Sequence, residues 1–503
     1  MVLRRGWVIG LGLTLAAGSA FGQAQPNGGV QSPPKAKPAT VTKVTPNRAA
    51  AKTSLAPPGT PHTLAEALTA TYSTQPQLLA ERAKLRATDE SVPQALSGWR
   101  PTVIMAGTTG YGDGVSRQFT NAGGGFLKSR TDRLIGTAQA TLTQPLYNGG
   151  KTPATINRAK NQVMAERATL IQQEQTSFIN VVTAYVGVIQ AQQVLALNVN
   201  NEQVLAKQLQ ATNDRFRVGE ITRTDVAQAE AALAGATAQR QTSEGNLQIA
   251  RGTYQQVVGF LPPGDLVEPQ PLSLPAKNEQ DAIALAANNN PLVIAALFND
   301  AAAKDAVDVA FAQLLPQVSF QGQMFQTDNS SLRSSQSNGY QALLQLSVPV
   351  YQGGQEYSAV RQAKQSEQQT AKLVDDARRT AVQNAVQSWE TLVAAKAAAN
   401  STRAQIQANS IALEGVEREA IVGSRTTLDV LNAQQALLQS QVTLVQNLAQ
   451  VVTASYQVAA AIGRLTARDL NLPVPLYDET AYYNAVKNKW VGLGDYATGQ
   501  PGR

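Results

Sequence analysis

Arg215-Phe-Arg-Val-Gly-Glu-Ile-Thr-Arg-Thr-Asp-Val226 and Glu419-Ala-Ile-Val-Gly-Ser-Arg-Thr-Thr-Leu-Asp-Val430 are two versions of one short stretch, 204 residues apart. Each reads as a glycine-centred turn between long helical segments, with Gly219 matching Gly423 and Asp225 matching Asp429. The same offset relates Pro145-Leu-Tyr-Asn-Gly-Gly150 to Pro349-Val-Tyr-Gln-Gly-Gly354, so that Gly149 and Gly150 correspond to Gly353 and Gly354. Further upstream, Pro76 pairs with Pro291 and Pro101 with Pro316 at an offset of 215. The difference places 11 extra residues between Pro101 and Pro145, and because insertions concentrate in exposed connections they read as a loop tip. The chain is therefore expected to be one fold built from two copies of a unit of about 200 residues.

Around the turns, no proline occurs from Ala154 to Leu261 or from Val350 to Leu472, and both segments are rich in Ala, Gln, Leu and Val. Each can hold a helix of about 60 residues up to its turn, roughly 90 Å long, and a shorter helix returning after it. Helices of that length are not satisfied by one compact core and imply a coiled-coil arrangement. Val181, Val182, Tyr185, Val188 and Ile189 form a narrow apolar stripe beside Ala- and Gln-rich faces, which suits neighbours on both sides, as in a ring of helices.

Upstream of each Pro-x-Tyr-x-Gly-Gly stretch the period changes to two. Val318, Phe320, Gly322 and Met324 alternate with Gln317, Ser319, Gln321 and Gln323, and Ala342, Leu344, Leu346 and Val348 alternate with Gln341, Leu343, Gln345 and Ser347. The first half shows the same pattern near 102–111 and 134–142, around a Gly-, Asp- and Arg-containing stretch at 112–133. An apolar face opposed by a Gln/Ser/Thr face suits a membrane β-barrel with lipid outside and water inside, although a soluble half-buried hairpin alternates in the same way. Four strands are too few to close a membrane barrel, so two or more chains must share one; twelve strands from three chains would leave an aqueous bore.

Of the 503 residues, 42 are Lys or Arg and 35 are Asp or Glu, a formal charge of +7. All of the excess precedes Glu66, in Arg4, Arg5, Lys35, Lys37, Lys43, Arg48 and Lys52, leaving a neutral body that makes a nucleic-acid partner a poor fit. Residues 1–24 have the layout of a secretory signal peptide: Arg4-Arg5, an apolar run from Trp7 to Ala17, then small residues. That run is short of the ~20 residues that span a bilayer, and no later run approaches it. Residues 25–62 hold eight prolines and read as a disordered linker. The remainder divides into a first repeat (63–261), a connector (262–278), a second repeat (279–463) and a tail (464–503) that carries Tyr477, Tyr482, Tyr483 and Trp490 and reads as lying along the outside. Within the first repeat a helix from about Thr63 is followed by a second, opened by Pro76 and running to about Gly98.

This combination resembles the TolC family of outer-membrane channel proteins over about residues 63–475. The most specific signals are the paired Pro-Leu/Val-Tyr-x-Gly-Gly stretches and the paired Val-Gly turns followed by Asp-Val. The resemblance implies a homotrimer in the outer membrane, with a shared twelve-stranded barrel embedded in its lipid, a long periplasmic helical barrel and a mixed α/β belt. It also implies a role as exit duct of a drug-efflux or type I secretion system, docking onto a periplasmic adaptor protein and serving an inner-membrane transporter of RND or ABC type. Position by position, Arg425 and Asp225 fall on a retained arginine–aspartate link and Asp429 on a ring of pore-lining carboxylates. Gln208 and Glu417 fall where a further link is expected. Ala420 replaces a gate tyrosine and Asn432 a second ring aspartate, so the gate should lack one hydrogen bond and one ring of charges. Gly219 and Gly423 fall at the adaptor-docking turns.

A second reading applies to both aspartates: Thr222-Arg-Thr-Asp225 and Thr426-Thr-Leu-Asp429 are capping boxes, in which the carboxylate serves a backbone N–H at a helix start. An enzyme finds little support. The sole histidine, His62, lies at the end of the linker, there is no cysteine, and there is no phosphate-binding glycine loop or acidic cluster at metal spacing, so no catalytic residue, cofactor or metal ligand is assigned. A soluble periplasmic coiled-coil scaffold or adaptor would explain the helices and leave the four strands unexplained.

Overall fold

A computed structural model describes residues 61–120, 125–329 and 334–500. The expected leader, and all but the end of the expected linker, lie outside the described residues. The elements in chain order are α1 (Leu64–Thr74), α2 (Pro76–Asp89), α3 (Ser91–Leu96), β1 (Thr102–Thr120), β2 (Gly125–Asn148), α4 (Lys151–Arg217), α5 (Arg223–Val258), α6 (Glu279–Asn289), α7 (Pro291–Phe311), β3 (Gln317–Asp328), β4 (Gln336–Ser347), α8 (Gln355–Ile421), α9 (Thr427–Ala461) and α10 (Ala481–Val486).

α4 and α8 are both 67 residues long, about 100 Å each, somewhat beyond the length read from the sequence. Both begin after a glycine pair in left-handed conformation, Gly149 (φ +64°) with Gly150 (φ +83°) and Gly353 (φ +69°) with Gly354 (φ +85°). The positive φ turns the chain out of the strand, and a side chain there would be strained. The returning helices α5 and α9 lie against α4 and α8 respectively, α7 lies against both long helices, and α4 also meets α9. Where α4 passes under α1, α2 and the end of α5, its stripe is sealed: Phe178, Val181, Val182, Tyr185 and Val188 are completely buried. Each such side chain contributes about 1.5–3 kcal/mol of burial. The Tyr185 hydroxyl lies 2.7 Å from the His62 carbonyl and 2.8 Å from that of Val267, tying both the chain entry and the connector to this core.

Three expectations are revised. α2 stops at Asp89 and the path to Gly98 continues as α3 and a short 3-10 turn, because Pro93 lacks the N–H needed to continue one helix. Two helical stretches, Lys151–Arg217 and Glu279–Leu314, contain windows long and apolar enough to cross a bilayer, contrary to the reading that nothing after the leader approaches that length. Their apolar residues are partly buried against neighbouring helices. The 11-residue insertion is not confined to a loop tip. It lengthens a paired hairpin, with continuous register from Thr102↔Thr143 to Thr120↔Gly125, so that β1 and β2 span 19 and 24 residues against 12 each for β3 and β4. Asp113 and Arg130, diagonal neighbours across this arm, form an ion pair at 3.3 Å.

The four strands form one antiparallel sheet in the order β1-β2-β3-β4. One face carries Val103, Met105 and Tyr111 on β1, Leu142, Ala140 and Leu134 on β2, Phe320 and Met324 on β3, and Leu346, Leu344 and Tyr340 on β4. The opposite face is mainly polar, with Thr108, Thr137, Thr141, Gln139, Gln323, Gln341 and Gln345 beside the apolar Ile104, Phe325 and Leu343. On it the Gln323 amide donates to Gln139 at 3.1 Å and Gln341 donates to Gln323, a glutamine ladder across three strands. The apolar face is exposed: Met105, Met324, Tyr340 and Leu344 are each 66% or more accessible. A soluble chain would cover a surface of this kind, whereas a bilayer solvates it.

Below the sheet, α1, α2, the middle of α4 and the tail segment make a belt with buried charge. The Arg82 guanidinium is almost fully enclosed, donates to the Tyr72 carbonyl at 3.0 Å and lies between the rings of Tyr72 and Tyr477, 4.4 and 5.1 Å from their centroids. Glu174 faces the same cavity, of about 700 Å³, and accepts the Ala467 N–H at 2.6 Å; burial pushes its carboxyl up to about 7. Asp89 is wholly buried, neither of its oxygens accepts a hydrogen bond among the described residues, and burial pushes it up to about 7 as well. A carboxyl raised on folding binds its proton more tightly in the folded chain. Its penalty is therefore absent below the ordinary carboxylate range, grows between about pH 4 and pH 7, and is constant above, reaching about 2–4 kcal/mol for Asp89. Asp89→Asn should raise the thermal midpoint at pH 8 and flatten its fall between pH 4 and 7. A pH profile parallel to that of the parent chain would contradict this role.

Candidate gate and docking tips

The two hairpin tips have the same backbone. Gly219 and Gly423 both sit at φ +81°, and the following N–H returns to the residue that opens the turn, from Glu220 to Arg215 and from Ser424 to Glu419, each at 3.0 Å. A Cβ on either glycine would meet nothing within 4 Å, so the tips are bare. Beside them Val218, Ile421 and Val422 are 76–78% exposed.

Each returning helix opens with a complete capping box. The Asp225 N–H donates to the Thr222 hydroxyl at 3.3 Å, and the Asp225 carboxylate takes the Thr222 N–H at 3.0 Å and hydroxyl at 2.6 Å. Asp429 repeats this with Thr426 at 3.2, 3.0 and 2.8 Å. The Thr222 hydroxyl and amide hold Asp225 below its usual range, and the Thr426 amide and hydroxyl do the same for Asp429, so both stay ionised at neutral pH. Only one oxygen of each takes these bonds, so the capping box leaves the second oxygen unused.

Within one chain the expected Arg425–Asp225 link is not made. Arg425 instead pairs with Glu419 of its own turn at 2.8 Å, with both side chains 51% exposed, while Arg215 pairs with Glu220. Arg215 and Glu419 occupy matching positions with opposite charge, and each finds an ion-pair partner in its own turn, although the partners Glu220 and Arg425 do not correspond. Exposed pairs of this kind are weak, so Arg425 can change partner at small cost. Gln208 lies partly buried in the last turns of α4, its carbonyl accepting the Thr212 hydroxyl at 2.7 Å; Glu417 and Asn432 are exposed, and Ala420 is buried. Leu431 packs with Leu205 and Ala236, which sets α9 beside the α4–α5 hairpin near the tips.

The junction glycines differ in surroundings. A Cβ on Gly149 would lie 2.6 Å from the Ala312 carbonyl oxygen and 2.7 Å from the Leu315 Cβ, whereas one on Gly353 would meet nothing within 4 Å. Pro145 sits at a bulge in the β2–β3 register, and Pro349 follows the end of β4. The in-turn ion pairs, the exposed tip valines and the buried Arg82–Glu174 belt were not anticipated. Val-Gly pairs between polar helices were a usable signal for the tip valines, but residues as far apart as Arg82, Glu174 and Tyr477 leave no local pattern.

Comparison with known proteins bears on this arrangement directly. The family model described as outer membrane efflux protein matches residues 68–259 and 282–464, the two stretches that end in the paired hairpins. The chain belongs to the outer membrane efflux protein family. Among family relatives, the outer membrane efflux protein BepC of Brucella suis biovar 1 is 37% identical over 436 residues, covering 86% of this chain and 92% of BepC. The outer membrane protein TolC of Escherichia coli is 25% identical over 66% of this chain and 70% of TolC. The fold agrees with that of the solved outer membrane protein VceC of Vibrio cholerae, with a TM-score of 0.68, 20% identity, and coverage of 80% of this chain and 96% of VceC. Membership places the chain in the outer membrane of a Gram-negative cell.

Proposed function

We propose that this protein is the passive exit duct of a tripartite efflux or type I secretion system. Three copies share a twelve-stranded barrel, and a periplasmic adaptor acting with an inner-membrane pump of RND or ABC type opens the helical tips. The observation that carries this reading is the sheet, which presents an apolar face to lipid and a Gln/Thr face to water but leaves the edges of β1 and β4 unpaired. The two hairpins have matching registers: Val103↔Leu142 becomes Val318↔Leu346 under the offsets 215 and 204. Applying the same offsets to the β2–β3 pair Thr141↔Gln323 sets Gln345 of one copy opposite Thr108 of the next, so each open edge has a complementary one. The open space at Gly353 supports the same closure, because the matching Gly149 is covered by the turn at Ala312–Leu315 and a second copy would bring the equivalent turn at Ser97–Arg100.

At the tips the reading assigns Asp225, Arg425, Asp429, Asn432, Gln208 and Glu417 to the gate and Gly219 and Gly423 to adaptor docking. Arg425 leaves its weak in-turn partner for Asp225 of an adjacent hairpin, a charge-assisted bond. Arg425→Ala should raise the open fraction. The check is the current through single channels in planar bilayers, with parent and variant side by side; equal conductance and equal open fraction would remove Arg425 from the latch.

A further inference from the structure

The tail does not end on the belt. Its contacts follow the chain from α1 toward the start of β1: the Tyr477 N–H donates to the Tyr72 hydroxyl at 3.0 Å, the Tyr482 hydroxyl donates to Glu90 at 2.8 Å, and the Lys489 carbonyl accepts from Arg100 at 2.6 Å. The Arg100 guanidinium also lies 4.8 Å from the centroid of the Trp490 ring. Beyond that point the chain reverses, since the Gln500 amide donates back to the Asp478 carbonyl at 2.6 Å. The reversal is tight, with Gly492 at φ +128°, Tyr496 closed against Gly492 and Gly494, and the Lys489 ammonium 4.8 Å from the Tyr496 ring.

The apex of this turn is apolar and uncovered: Trp490 is 67% exposed, Val491 88% and Leu493 fully. It stands beside Arg100, two residues before β1 begins and three before Val103 opens the apolar face of the sheet. Arg100 and Lys489 lie beside it and Lys487 just before it at the end of α10, while one acidic residue, Asp495, follows in the same turn. A short apolar wedge with tryptophan at its edge and lysines behind it matches the boundary of a phospholipid leaflet, where aromatic rings sit at headgroup level and basic side chains meet phosphates.

We propose that the Lys489–Gly494 turn inserts Trp490, Val491 and Leu493 into the periplasmic phospholipid leaflet of the outer membrane, a second anchor at the foot of the barrel. This rests on the reading of the sheet as a membrane barrel.

The test uses the full chain reconstituted in phospholipid vesicles, with Trp7, Trp99 and Trp389 replaced by phenylalanine so that Trp490 alone emits. Lipids brominated near the carbonyl end of the acyl chain should remove most of its emission, and Lys487→Glu with Lys489→Glu should weaken that quenching in anionic vesicles. A companion chain with Trp490→Phe and Met324→Trp reports on the barrel face. Quenching at Met324→Trp but not at Trp490 overturns the anchor and leaves the barrel standing. Quenching at neither overturns both. Trp490 shielded from both brominated lipid and aqueous acrylamide places the turn against a neighbouring subunit and also overturns the anchor.

Discussion

Gly463→Ala is expected to lower the thermal midpoint of the folded protein severely. Gly463 closes α9 at φ +77°, with its N–H on the Ala460 carbonyl at 2.9 Å and the Arg464 N–H on Ala459 at 2.8 Å. A Cβ there would lie 2.4 Å from the Asn289 carbonyl oxygen and 2.9 Å from its carbon, both backbone atoms that no rotamer change can move. The Asn290 amide also caps the Ala461 carbonyl at 2.9 Å, so this turn joins the end of the second hairpin to the α6–α7 corner. Left-handed strain alone costs about 1–3 kcal/mol, and the clash adds displacement of the α6–α7 junction. Gly423→Ala is the internal comparison, with a similar φ but open surroundings, and should show only the strain at an exposed tip. Thermal unfolding of the detergent-extracted protein, followed by circular dichroism, reads both. Equal midpoints for the two variants would mean that the belt relaxes around the methyl group.

The second large effect sets neighbours on one strand against each other. Ala140 points to the apolar face of β2 and Gln139 to the glutamine ladder. An arginine on a lipid face near the bilayer centre costs about 2–4 kcal/mol, and a trimer incurs that cost three times. Ala140→Arg should therefore depress the yield of membrane-inserted protein severely. Gln139→Arg enters water, should insert normally, and should shift the reversal potential of the channel toward anions. Comparable yields for both would mean that the two faces do not see lipid and water.

How much of this was legible depended on whether the signal was local. The turns at Gly219 and Gly423, the glycine pairs at both strand-to-helix junctions and the unbroken helices followed from short motifs and proline-free runs, because backbone conformation there is set by neighbouring residues. The alternation along β3 and β4 was equally readable. The added length of β1 and β2 was not, since the Gly, Ser and Asp of 112–133 that suggest a loop also tolerate a long exposed hairpin once Arg130 and Asp113 pair across it. At the tips, capping and pore-lining could not be separated from sequence, and the geometry bears out the cap for both aspartates while leaving the pore role as a proposal. The belt was invisible because Arg82, Glu174 and Tyr477 meet only through tertiary packing, and the same packing buries Asp89.

Closure of one barrel edge to edge by separate copies is directly testable, because the sequence has no cysteine. Thr108→Cys combined with Gln345→Cys places one thiol on each open edge at the register derived above, and oxidation in membranes followed by a non-reducing denaturing gel reads the linkage. Thr108→Cys with Thr137→Cys, whose hydroxyls already meet within one chain, shows that the strand face can be oxidised. The edge pair should give covalent dimers and trimers, ending at three chains, and neither single variant should give any. Monomers only from the edge pair, alongside efficient closure of the Thr108/Thr137 control, would contradict a barrel shared between subunits.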